Sequence, residues 1–168
     1  MLKRLSIILL FCLVGVFAFA QTAAKQVLSE KDITSFITNY KQIMVAFDTL
    51  GDKYDHLFEG IDPNGGFESM VKMRSIKVPA EIEDILRKNG LGNNGFEKSM
   101  IIIQGVGVLL MEEDLDMLTA DAASKDPKIA ASIKEAREGM KILKDSINSK
   151  DIDLINKKKE ELFTLIQE

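Results

Sequence analysis

The chain reads as an all-α protein: a single-domain helical bundle of about five to six helices after an N-terminal signal peptide. Three observations predict this. Beyond residue 29, apolar residues recur at three- and four-residue steps, the spacing that places them on one helical face. The alternation of β-branched residues that marks strands is nearly missing. The 11 glycines and 3 prolines fall at a few places, most of them between periodic stretches.

Residues 1–20, MLKRLSIILLFCLVGVFAFA, carry a basic start (Lys3, Arg4), an apolar run, and small residues at Ala18 and Ala20 ahead of Gln21. This is the anatomy of a cleaved export signal, and it predicts a periplasmic or secreted protein. As a helix, the run from Leu5 to Ala20 covers roughly 24 Å against a hydrocarbon core of about 30 Å. Retention as an anchor is one alternative. Lipidation at Cys12 is another, against which Phe11 stands where such signals carry a small residue.

Cleavage leaves 148 residues with no cysteine, hence no disulfide and no thiol chemistry. A chain of that length buries about 68–70% of its unfolded surface and needs no covalent staple. Loss of Lys3 and Arg4 leaves 20 basic residues against 26 acidic ones, a net charge of −6. That balance disfavours nucleic acid and anionic membrane surfaces. The expected layout is a signal peptide over 1–20, a flexible N-terminus over 21–28 and the bundle over 29–168.

Ser29 with Asp32 forms a capping-box pattern that opens the first helix. Its seam is Ile33, Ile37, Tyr40, Met44, Phe47, Gly51, Tyr54 and Phe58, flanked by a second row of Phe36, Ile43, Leu50 and Leu57. Gly51 lies on the seam, so a kink or a close helix contact is expected there. The stretch GIDPNGG, residues 60–66, has turn chemistry. A short helix over 67–76 should follow. Pro79 suits the first position of the next helix, which turns Ile82, Ile85 and Leu86 inward. Asn89-Gly90-Leu91 reads as a helix stop.

Asn94 and Glu97 offer the next cap. Behind them, Met100 to Met111 is apolar almost all round and predicts a central helix, with the bundle packed around 96–118. Twelve such residues span only about 18 Å, too short for a bilayer, and no transmembrane span is expected in the mature chain. Gly105 and Gly107 each cost about 1 kcal/mol relative to alanine in a helix, which favours a close crossing or a small cavity there. Asp126-Pro127 opens a surface helix with the seam Ile129, Ile133, Ala136, Met140, Leu143 and Ile147. Asp151 opens the last helix, with Ile152, Ile155, Leu162 and Ile166 on one face and Lys159 at its rim.

Catalytic parts are scarce. His56, the single histidine, sits near Asp52, Asp55, Glu59 and Asp62, but a zinc site needs three or four ligands rich in nitrogen or sulfur. Asp62-Pro63-Asn64-Gly65-Gly66 resembles the start of a calcium loop, yet Phe67 stands where that loop requires glycine. Glu112, Glu113, Asp114 and Asp116 read as a hydrophilic helix end. No G-x-S-x-G elbow is present, and Gly90-Leu91-Gly92 lacks the preceding strand of a dinucleotide site. No catalytic residue, cofactor or metal is expected.

The expectation is therefore a non-catalytic binding or interaction module for a peptide, a lipid tail or a partner protein. Its candidate groove lies beside Gly51, Gly105 and Gly107. A structural or self-assembling envelope protein is the alternative. A carboxylate-dependent hydrolase requires two or more acids converging in one cleft.

Overall fold

The computed structural model describes residues 24–62, 65–121 and 127–167. Residues 1–20, which the sequence reads as an export signal, lie outside these residues, as do Pro63-Asn64 and Asp126. Every regular element among the described residues is helical.

Ser29 opens α1 (Glu30–Asp48) with a capping box. Its side chain accepts the Asp32 N–H, and the Asp32 carboxylate accepts the Ser29 N–H at 2.9 Å. The buried residues of α1 are Asp32, Ile33, Phe36 and Ile43, so the deep side follows the second apolar row. Met44, on the expected seam, is 40% exposed. The reason is tertiary: α1 is covered by the turn at 87–91, by the helix before that turn, and by the C-terminal helix.

The helix expected to run on to Phe58 stops at Asp48. Gly51 takes a positive φ of 52°, and Gly51–Phe58 winds as a 3₁₀ segment with no buried residue. The left-handed backbone at Gly51 ends the α-helix.

α2 (Gly66–Met73) is shorter than the expected 67–76. Pro79 is the N-cap of α3 (Ala80–Leu86), one position earlier than its sequence signature suggests. A wide helical turn, Arg87–Leu91, ends this arm. Gly90 adopts φ 89° there and Leu91 is fully buried, as the Asn-Gly-Leu stop predicts. Asn39 on α1 clips the turn by donating to the Asn89 carbonyl at 3.0 Å.

α4 (Gly95–Asp121) is the central helix. Asn94 does not cap it: its φ is 57°, outside the extended region that an N-cap occupies. The Glu83 carboxylate caps it instead, accepting N–H from Gly95 at 2.8 Å and from Phe96 at 3.4 Å. Ile101, Ile102 and Val106 belong to a large core with α1, α3 and the C-terminal helices. Val108 and Leu115 belong to a second, smaller core with Ile133, Met140 and Leu143 of α5 (Pro127–Asp145), and Phe67 and Val71 of α2 pack against it. The helix is not buried on all sides, because Ile103 is 42% exposed.

The last expected helix is two. α6 (Ser149–Lys157) starts at the Asn148 N-cap, and α7 (Lys159–Gln167) follows a break at Lys158, whose backbone is not helical. The break lets Ile155 and Leu162 both reach full burial. Residues 24–28, for which the sequence suggests flexibility, lie without regular structure against this end. Asp151 and Asn148 bind their backbone, and Leu28 is buried.

Candidate functional site

Arg74 is the C-cap of α2 and is half-buried. One terminal nitrogen donates to the Ser146 carbonyl at 3.0 Å, and the other donates to the Ser146 hydroxyl. These bonds tie the end of α2 to the end of α5. Both acceptors are neutral, and among the described residues Arg74 forms no ion pair. Its Nε is buried without a hydrogen-bond partner. Burial pushes the guanidinium below its ordinary pKa, and the field of the nearby Glu97 carboxylate opposes that effect. A cation in this setting lacks the counter-charge that burial normally demands.

Two concavities meet at this side chain. One, of about 600 Å³, runs between the 74–78 segment, α3 and the start of α4, and Ile76, Val78 and Phe96 supply apolar wall. The other, of about 350 Å³, runs along the extended segment 24–27 to Asn148 and Asp151. Arg74, Asn94 and Glu97 line both. In the second concavity Lys98 is committed elsewhere. It donates to Asp32 and to the Leu91 carbonyl, at 2.8 Å each. Burial opposes ionisation of Asp32, but the hydrogen bonds from Lys98 and Ser29 outweigh it and hold the carboxyl below its usual range.

The three glycines singled out by sequence do not come together here, and none lines either concavity. Gly51 is exposed, with open space where a Cβ would stand. Gly105 is a crossing point: an added Cβ would run into Ile155 Cδ1, so α6 fills the space. Gly107 has no heavy atom within 4 Å of such a Cβ.

His56 is exposed, and among the described residues no group of three or more His, Cys, Asp or Glu could hold a metal ion. The acidic run on α4 works between helices. Glu112 pairs with Lys144, Glu113 with Lys159, and Asp116 with Arg137. Two carboxylates, Glu83 and Glu97, do share the larger concavity. Glu83 is occupied by the α4 N-terminus, which leaves Glu97 as the acid not engaged in a cap.

A separate apolar hollow of about 390 Å³ lies between the end of α4 and the start of α5, lined by Leu115, Leu118, Ile129, Ile133 and Ala136 among others. No helix among the described residues is long and apolar enough to cross a membrane.

Arg74 carried one signal in the sequence. Only four of the 22 basic residues are arginine, and two of those four, Arg74 and Arg137, make interhelical contacts. No protein-family model matches the chain, and no curated protein or solved structure matches it.

Proposed function

We propose that this chain is an exported, non-catalytic binding module, periplasmic or secreted, that holds a peptide or a segment of a partner protein in the groove around Arg74. The observation that carries this reading is the half-buried guanidinium with neutral partners at the junction of two concavities. Pockets that bind ligands combine apolar wall with a few placed polar groups, and this groove has both. The polar groups on its floor favour a peptide over a lipid tail. The export signal at residues 1–20 supplies the location.

The test is native mass spectrometry of the protein purified gently from the exported fraction of its host. The expected result is a mass beginning at Gln21 plus a bound species of defined mass, lost when Arg74 is replaced by Met. A bare chain, both as purified and after incubation with host exported extract, contradicts the reading.

Self-assembly is the second reading. Leu118 on α4 and Ile129 on α5, 50% and 42% exposed, line the apolar hollow, and Met117, next to Leu118 in the chain, is 65% exposed. Light scattering after size exclusion separates the two: a defined oligomer disrupted by Leu118→Lys favours assembly, and a monomer at micromolar concentration opposes it.

A further inference from the structure

Arg74 and Glu97 are opposite charges that line both concavities, yet they do not pair with each other. Glu97 is half-buried in the first turn of α4, and among the described residues it makes no ion pair or hydrogen bond through its carboxylate. Arg74 is within reach of its field but outside contact distance. Lys98 is spent on Asp32, Arg87 pairs with Asp84, and Glu83 caps α4. Lys77 and Lys25, both exposed, line one concavity each, and the charged residues that line both are one cation and one anion.

Resting on the binding-module reading, we propose that the groove takes a zwitterionic ligand with an apolar side chain, a free amino acid or a short peptide, its carboxylate on Arg74 and its ammonium on Glu97. Each partner supplies what the other residue lacks. A guanidinium recognises a carboxylate through paired N–H donors, and two of the five donors of Arg74 are already fixed by Ser146, which holds the plane in place. Glu97 accepts from an ammonium. Phe96, Ile76 and Val78 lie beside the charged pair and provide a surface for an apolar side chain. The exposed amides of Asn93 and Asn94 offer donors and acceptors to a peptide bond. A volume of about 600 Å³ is within the range of small-ligand sites. A dianionic phosphate fits poorly, because Glu97 would face it.

The experiment is a titration of the ¹⁵N-labelled chain followed by backbone amide shifts, with four probes: leucine, the dipeptide Leu-Leu, N-acetyl-leucine and leucinamide. Saturable shifts at Asn93, Asn94 and Phe96 are expected with leucine or Leu-Leu, and at least tenfold weaker binding with each singly blocked probe. Whichever of leucine and Leu-Leu binds tighter tells a free amino acid from a peptide. Glu97→Gln, which removes no hydrogen bond of the fold, should restore N-acetyl-leucine to within about threefold of leucine. Equal binding of all four probes overturns the zwitterion inference while leaving a binding groove. Absence of any shift at millimolar probe overturns it as well, and a ligand found by native mass spectrometry would then keep the broader reading alive.

Discussion

The fully buried carboxylate of Asp151 accepts the backbone N–H of Val27 and of Leu28 at 2.9 Å each, across more than 120 residues of chain. The two oxygens are shared out, one to each amide. The first residues of the folded body are thereby fixed to the start of α6.

Replacing Asp151 with Asn turns one acceptor into a donor that faces an N–H. One bond is replaced by a donor facing a donor inside the protein and the other is weakened, a cost of about 2–4 kcal/mol. Urea denaturation should show the loss in midpoint. Hydrogen exchange should show faster exchange at Val27 and Leu28 than global destabilisation explains. A variant with unchanged midpoint and unchanged exchange would refute the clasp.

Asp32 predicts a pH dependence. Its carboxyl titrates below the ordinary value in the folded chain, so the unfolded state binds the proton more readily. The stability it contributes is present above the unfolded pKa, near 3.9, and is lost as pH falls through the lower folded value. Asp32→Asn should cost about 2 kcal/mol at pH 7, from the weakened cap and the broken pair with Lys98. The gap between variant and parent in denaturant midpoint should shrink steadily from pH 5 to pH 2. A gap of constant size would contradict the assignment.

Two glycines two residues apart, on roughly opposite faces of α4, should respond with opposite signs. Gly105→Ala drives a methyl into Ile155, which is fully buried and has little room to move. The overpacking exceeds the helix-propensity gain, for a net loss of about 1 kcal/mol. Gly107→Ala meets open space and should gain up to about 1 kcal/mol. Thermal melts of the two variants, and of Gly105→Ala combined with Ile155→Val, decide the matter: the second change should recover part of the first loss.

The features legible in the sequence are local ones. Ser29 and Asp32 are three residues apart, and the capping box forms as their spacing dictates. Gly90 and Leu91 make the stop they spell. The buried residues Ile133, Met140 and Leu143 of α5 follow the written seam. What escaped was non-local. Glu83 reaches α4 across a turn, Arg74 reaches Ser146 across 72 residues, and Asp151 reads as an ordinary helix-opening aspartate until the N-terminal segment is laid against it. Gly51 is legible in part. Its place on the seam predicts a kink or a close helix contact, and its left-handed backbone ends the α-helix outright. The candidate site escaped for the first reason, since its residues come from three stretches of chain that no spacing rule connects.

Because α4 is a member of both cores, the molecule has a boundary along which it can come apart unevenly. The larger core holds 14 buried side chains among the described residues and the smaller holds five, so the layer of α2 and α5 is the weaker cooperative unit. Amide exchange should reveal α5 opening at lower free energy than the Ile101–Val106 stretch of α4. Arg74 rides on the layer that opens, and Glu97 stays with the one that holds. The groove thus straddles a seam between two foldons, and any molecule that bridges the two charges also staples them, raising the protection of α5 by RT ln(1 + [L]/Kd).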